Sequence, residues 1–374
     1  MLIVYCQLNW NNQPHFVQPL PFKWHKNKNM QLHNRVNRRE LKEKMRASDE
    51  KRNTVSFYKY HSIESPIAFR DYIYFELKAL GVHGRIYVAE EGINAQTSVP
   101  IEKFDIFKKT LDKIGFLRGV RLNIAVEDDG KSFFTLSVKV RPKIVADGLD
   151  DSTFNPSDTG THLGAENFNK ITAEKNTILV DMRNHYESEV GYFQGAVRPQ
   201  VETFRQELDL VEEMLKGNED KNLVMYCTGG IRCEKASAYF KHKGFKNVFQ
   251  LEGGIIKYAN DAKEQGLENK FIGKNFVFDE RLGERISEQI VSQCHQCGEP
   301  CDTHTNCANS ACQLLFIQCE KCVEKFAKCC SQKCSNFIQL PEDEQLTKRK
   351  IEQFNGSKSG KRRYALTKEK VFLK

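Results

Sequence analysis

The run Cys227-Thr228-Gly229-Gly230-Ile231-Arg232-Cys233 constrains this chain more than any other segment. It follows Leu223-Val224-Met225-Tyr226, an apolar stretch that reads as a short buried strand. It precedes Glu234 to Lys243, which reads as a helix closed by Lys241, His242, Lys243 and then Gly244. A cysteine at a strand end, followed by a glycine turn into a helix, has backbone N–H groups aimed at its own sulfur. The helix N-terminus adds positive potential, so the thiolate is favoured and an anion is held. Arg232 supplies a fixed positive charge at the end of the loop. The pattern predicts a nucleophile cradle; the competing reading is a buried structural cysteine before a helix.

Four residues separate Cys227 from Arg232, one fewer than in cysteine-dependent phosphatases. The smaller ring of amides suits one large atom on the cysteine, such as a persulfide sulfur, better than a tetrahedral phosphate. The loop Thr228, Gly229, Gly230, Ile231 and Arg232 therefore resembles a rhodanese active-site loop. The flanks agree: Ile178-Leu179-Val180-Asp181-Met182-Arg183-Asn184 looks like the rhodanese strand ending in Asp-x-Arg, with Asp181 and Arg183 as supports. Gly191-Tyr192-Phe193-Gln194-Gly195-Ala196 looks like that family's glycine-framed turn, with Tyr192 replacing the usual histidine.

A chain of 374 residues should hold two or three domains. Residues 1–53 read as an N-terminal extension and helical arm. Over 54–146 the pattern is strand, helix, strand, strand, helix, strand. Val55 to Tyr60, Gly84 to Ala89, Ile93 to Val99 and Phe134 to Val140 are the strands. Ser65-Pro66 and Pro100 open the helices. That order predicts a ferredoxin-like, acylphosphatase-type α+β domain. A polar linker over 147–164 leads to 165–270, where strands and helices alternate as in a parallel α/β sheet. A Cys-rich module over 271–340 and a basic, disordered tail over 341–374 complete the chain.

Ten of the 13 cysteines fall between Cys294 and Cys334. In a large chain without an export signal, such clustering argues for metal or thiol chemistry in a reducing cytoplasm rather than a disulfide framework. Cys294-x-x-Cys297 and Cys319-x-x-Cys322 form two knuckle pairs that can close one four-thiolate zinc site. The remaining cysteines, with His295 and His304, leave a second set open, as does a reading of plain reduced or disulfide-linked thiols. No run of 18 apolar residues is present, so no membrane span is expected. From Thr347 onward ten Lys or Arg face two Glu, which matches the net charge of +8 of the whole chain. A tail carrying Lys348, Arg349, Lys350, Lys361, Arg362 and Arg363 favours an anionic polymer; on charge alone, a merely solvating tail fits as well.

From about Met30 onward the chain resembles the bacterial rhodanese-domain tRNA uridine hydroxylases. The residues that carry the likeness include Phe57-Tyr58-Lys59-Tyr60, Ala89-Glu90-Glu91-Gly92-Ile93-Asn94-Ala95 and Asp181-Met182-Arg183-Asn184-His185-Tyr186-Glu187. Leu251-Glu252-Gly253-Gly254, Gly273-Lys274-Asn275-Phe276-Val277-Phe278-Asp279-Glu280-Arg281 and Cys294-His295-Gln296-Cys297-Gly298 extend it. The resemblance implies conversion of the wobble uridine of certain tRNAs to 5-hydroxyuridine, with O2 as co-substrate and Cys227 as the essential, persulfide-forming cysteine. Cys233 is then a candidate resolving thiol, or else a packing residue. No dinucleotide fingerprint or flavin site is evident. From the residues alone, sulfur transfer from a Cys227 persulfide is the more direct reading. A non-catalytic RNA-binding scaffold is the third, and the intact Cys227 and Arg232 count against it.

Overall fold

The computed structural model describes residues 37–151 and 153–356. The expected extension over residues 1–29 and the basic residues Lys361, Arg362 and Arg363 lie outside them. Helix α1 (Arg38–Arg46) leads into the first domain: β1 (Arg52–Tyr60), α2 (Pro66–Ala79), β2 (His83–Ala89), β3 (Gly92–Pro100), α3 (Phe104–Asp112), β4 (Asn123–Ile124) and β5 (Leu136–Val140). The strands lie in the order β4-β1-β3-β2-β5.

Period-two alternation splits the sheet into two faces. Val55, Phe57, Ile86, Val88, Ile93, Ala95 and Val99 point to a core closed by Phe69, Ile73 and Leu77 of α2 and by Phe107 and Leu111 of α3. Ser56, Tyr58, Arg85, Tyr87, Asn94 and Gln96 stand on the opposite, half-buried face.

The ferredoxin-like architecture holds, but its fourth strand is not the one the pattern pointed to. The position beside β1 belongs to the two-residue β4, antiparallel through Val55–Ile124 and Ser56–Asn123. The alternating run ending at Val140 forms a fifth strand on the far edge, parallel to β2. A two-residue strand has no alternation to read, whereas Leu136 and Val138 bury one side of theirs.

The second domain contains β6 (Thr161–Leu163), α4 (Ala165–Ile171), β7 (Thr177–Asp181), α5 (His185–Ser188), β8 (Gly191–Phe193), α6 (Phe204–Leu215), β9 (Asn222–Tyr226), α7 (Ile231–His242), β10 (Asn247–Leu251) and α8 (Gly254–Gln265). Its parallel sheet runs β6-β10-β9-β7. Helices α6 and α7 cover one face through Leu208, Val211, Ala236 and Phe240; α4 and α8 cover the other through Phe168, Ile255 and Tyr258. Helices on both faces explain why these strands read as continuous apolar runs.

The last module begins with β11 (Phe271–Asn275) and β12 (Glu284–Arg285), followed by β13 (His304–Asn306), β14 (Leu315–Ile317), α9 (Glu320–Phe326), α10 (Gln332–Ile338) and α11 (Glu342–Lys348). Strand β11 pairs with β8 of the preceding domain, so the boundary placed at residue 270 cuts a shared sheet. The stretch read as a basic tail is described as far as residue 356. Helix α11 forms there, and Phe354 is buried against Phe337 with ring centroids 4.8 Å apart.

Lys235 of α7 joins the first two domains. Its buried ammonium lies 2.8 Å from Glu91, in the β2–β3 turn, and 2.6 Å from Asp151 in the linker. Removing one partner of a buried pair leaves uncompensated charge, at a cost of about 3–5 kcal/mol. Lys235→Ala is therefore expected to loosen the seam, seen as faster proteolysis within residues 147–164 than in the unsubstituted protein. Equal cleavage rates would show that the seam is held elsewhere.

Candidate active site

Cys227 leaves the C-terminal end of β9, where open parallel sheets present ligands. Its loop turns at Gly230 into α7, and the Gly230 N–H donates to the Cys227 Sγ at 3.1 Å. Beneath the loop, Ile255 and Ile256 N–H groups at the start of α8 donate to the carbonyls of Cys227 and Thr228 at 3.0 and 3.2 Å. This packing requires Gly254: at φ +65° a Cβ there would stand 2.5 Å from the Cys227 carbonyl oxygen. The glycines of the Leu251–Gly254 turn thus set the floor of the loop.

Burial works against the Cys227 thiolate. The Cys233 thiol, the Arg232 charge, and the Arg232 and Cys233 amides outweigh it and bring the thiol from 9.0 down to about 6. Cys233 moves the opposite way, raised by burial and by its hydrogen bond to Cys227. The two sulfurs therefore titrate apart, one as a thiolate and the other as its donor.

Arg232 does not reach freely into the cradle. Its guanidinium forms a two-pronged pair with Glu187 of α5, at 2.7 and 2.8 Å, and both side chains are buried. Glu187 also accepts from the Asn184 N–H at 3.1 Å and, weakly, from the Thr228 hydroxyl at 3.4 Å. Asp181 and Arg183 form a second buried pair, at 2.7 and 2.8 Å. Tyr226 donates to Asp181 at 2.7 Å, and Arg183 donates to the Gly191 carbonyl at 2.7 Å. The sequence-predicted residues of the second domain thus assemble around one loop. Nearby, Glu207 of α6 is buried with no hydrogen-bond partner on either carboxyl oxygen among the described residues; burial pushes its pKa well up, which favours the neutral acid.

The first domain forms the opposite wall. Asn123 of β4 donates to the Gly229 carbonyl at 3.2 Å. Tyr58 of β1 donates to Glu234 at 2.8 Å, and Glu234 meets His162 at 3.0 Å and Gln250 at 3.0 Å. Between the two domains lies a cleft of about 510 Å³. It is lined by Cys227 and Thr228 on one side, by Ser56, Tyr87, Asn94 and Gln96 on the other, and by Val277, Phe278 and Arg281 from the last module. A volume of this order accommodates a single nucleotide-sized group. Sequence reasoning assigned no role to Glu187, Tyr58, Asn123 or Glu207. The one available signal was that a buried arginine after the cysteine needs a carboxylate partner.

Away from the cleft, Cys294, Cys297, Cys319 and Cys322 come together as their spacing predicted, with all four Sγ atoms within 4.8 Å of one another. The Cys297 and Cys319 sulfurs are 3.5 Å apart, and the Cys319 N–H points at the Cys294 Sγ at 3.4 Å. His295 ties this knuckle to Glu189 at 2.9 Å, so the cluster props the segment that carries Glu187. Lys348 and Arg349 sit at the end of α11, where Lys348 lies 3.5 Å from Glu344; Lys350 is exposed. No helix of the described residues is long and apolar enough to cross a membrane.

Fold and site together define a rhodanese-type protein fused to an acylphosphatase-like domain and a cysteine-rich module. Family models agree: a UPF0176 acylphosphatase like domain matches residues 52–144, a Rhodanese-like domain 164–261 and a Rhodanase C-terminal region 272–335. The tRNA uridine(34) hydroxylase of Photorhabdus laumondii subsp. laumondii is 56% identical over 319 residues, covering 85% of this chain and 91% of that protein. That of Yersinia enterocolitica is 57% identical over 333 residues, covering 87% and 95%. The Yersinia pestis protein of the same name is 56% identical, covering 87% and 94%. This chain belongs to the tRNA uridine(34) hydroxylase family.

With the Cys227 thiol at about 6, roughly nine-tenths is thiolate at pH 7. Its stabilising contribution is complete above the unfolded thiol value and is lost as pH falls through about 6. Alkylation of Cys227, followed by peptide mass spectrometry, is expected to rise with pH and reach half-maximum near pH 6. A midpoint near 9 would contradict the cradle.

Proposed function

We propose that this chain hydroxylates the wobble uridine, position 34, of tRNA to 5-hydroxyuridine, with dioxygen as co-substrate and Cys227 as the nucleophile. The observation that carries the reading is 56–57% identity over 85–87% of the chain to proteins named for that reaction. The Cys227 thiolate in a cleft facing the polar side of the first domain's sheet supports the role given to the cysteine. A wobble base in an anticodon loop can be splayed from its stack at small cost and presented singly to such a cleft.

The chemistry needs no group beyond thiols and dioxygen to balance. The Cys227 thiolate adds to C6 of the uracil ring, and the electron pair moves onto the C5–C4–O4 enolate. C5 gives that pair to dioxygen, and the resulting peroxide takes a proton. Two thiols reduce the hydroperoxide to C5–OH and water and end as a disulfide, with Cys233 as one and a small external thiol as the other. Loss of the C5 proton and expulsion of the Cys227 thiolate restore the double bond. The sum is uridine, dioxygen and two thiols giving 5-hydroxyuridine, water and a disulfide.

Four clustered thiolates at Cys294, Cys297, Cys319 and Cys322 suit a structural zinc ion, a soft tetrahedral site with no position left for catalysis. Lys348, Arg349, Lys350, Lys361, Arg362 and Arg363 contribute affinity for tRNA phosphates and not base selection. The reaction belongs to the cytoplasm, where tRNA is modified.

The loop's short span favours sulfane sulfur on Cys227 and so keeps sulfur transfer as the second reading. Nucleoside mass spectrometry separates the two. Unmodified tRNA is incubated in air, with a thiol, with the protein or its Cys227→Ser variant. The expected result is a gain of one oxygen on uridine that is lost in the variant and without air. A gain of sulfur would establish sulfur transfer instead, and full hydroxylation by the variant would remove Cys227 from the mechanism.

A further inference from the structure

The cysteines left over from the knuckle pairs form a second closed set. Cys307, just after β13, and Cys312, in the turn that leads to β14, meet Cys330 and Cys334 at the start of α10, again with all four Sγ atoms within 4.8 Å. The Cys312–Cys330 sulfurs are 3.7 Å apart and the Cys330–Cys334 sulfurs 3.8 Å apart. A tetrahedron with Zn–S bonds of about 2.3 Å has S···S edges of about 3.8 Å. Single thiol pairs also meet at such separations through S–H···S hydrogen bonds; what suits an ion is that four sulfurs close on one centre. Cys301 and Cys329 are buried and stay outside both four-sulfur sets, although Cys329 hydrogen-bonds to Cys307 and Cys301 accepts from the Thr303 N–H at 3.5 Å.

Each of the four sulfurs also accepts a hydrogen bond from a nitrogen, as clustered thiolates on a metal require of their outer shell. The Cys330 N–H points at Cys307 at 3.4 Å and Asn309 Nδ2 at Cys334 at 3.4 Å. The other two donors come from the far end of the described chain: Asn355 Nδ2 reaches Cys330 at 3.6 Å and the Gly356 N–H reaches Cys312 at 3.3 Å. Gly356 is pressed so close that a Cβ there would stand 2.0 Å from the Cys312 carbonyl oxygen. The surrounding core is small, with Phe316, Phe337 and Phe354 as its large members. A core of that size does not hold a segment in place without a staple.

We propose that Cys307, Cys312, Cys330 and Cys334 bind a second zinc ion, and that this ion fixes residues 341–356, the root from which the basic sequence 357–374 departs. The ion gathers the four thiolates, the thiolates hold the Asn355 and Gly356 donors, and Phe354 is seated between. The sequence beyond Gly356 carries seven Lys or Arg against one Glu. Its use on nucleic acid rests on the hydroxylase reading; the ion and the tether do not.

Elemental analysis of the full chain purified without chelator should give two zinc ions per protein. Cys334→Ser should give one, while Cys329→Ser, beside the site but outside it, should keep two. Trypsin should cut after Lys348, Arg349 or Lys350 about tenfold faster in Cys334→Ser than in Cys329→Ser, because the backbone there is no longer held. The unsubstituted protein provides a test that needs no variant. Alkylation mapped by mass spectrometry should spare Cys307, Cys312, Cys330 and Cys334 until a chelator removes the metal. One zinc per unsubstituted chain, with those four cysteines alkylated at once or joined as disulfides, would overturn the proposal. Two ions with unchanged trypsin cleavage after loss of the second would overturn the tether.

Discussion

The pair between Arg232 and Glu187 lies beneath the Cys227 loop with both partners buried. Its stabilising value is small or negative when set against apolar residues of the same volume, because both charges are taken out of water. What it fixes is geometry. Arg232 is in the first turn of α7 and Glu187 is in α5, which itself follows the Asp181–Arg183 pair at the end of β7. The loop between β9 and α7 is thus clamped to the neighbouring strand's exit, and the Arg232 charge is held next to a sulfur that burial alone would keep protonated. An arginine free to swing outward would bind an incoming anion well and hold the thiolate poorly.

The clamp explains the thiolate but not the cleft, whose walls come from two domains that meet there. The ferredoxin-like sheet presents its polar face to the loop, and its shortest strand makes the contact through Asn123. Tyr58 reaches past the loop to Glu234, one residue beyond Cys233, and the chain of contacts continues to the half-exposed His162. The seam therefore carries both the cleft's lining and a hydrogen-bonded path from its edge toward solvent. The cysteine-rich module contributes the third wall through Val277 and Phe278, and its knuckle at His295 braces the helix of Glu187. Three folding units share one site.

Much of this was legible in the sequence where a pattern had length or chemistry behind it. Cys227 to Cys233 carried its strand, turn and helix in the residues immediately around it, and the spacing of the two Cys-x-x-Cys pairs anticipated one cluster of four sulfurs. The fourth sheet strand was not legible, because Asn123–Ile124 is too short to alternate. The second cluster was not either: Cys307, Cys312, Cys330 and Cys334 have no knuckle spacing, and the fold alone decides between Cys329 and Cys330. Glu187 stood inside a quoted motif yet had no assigned partner, since the distance from 187 to 232 in sequence says nothing about which carboxylate closes the pair. Charge gave no sign that Phe354, close to the end of the described residues, is buried.

The central claim is that Cys227 attacks the uracil ring of the wobble nucleotide. Substituting 5-fluorouridine for uridine at position 34 of a tRNA offers the thiolate a C6 carbon of raised electrophilicity, so that the adduct protonated at C5 is populated more than with uridine. Incubation of that tRNA with the protein without air, followed by nuclease digestion and peptide mass spectrometry, is predicted to find the nucleotide covalently attached to Cys227. Attachment to another residue, while the same preparation hydroxylates ordinary tRNA in air, would contradict the account.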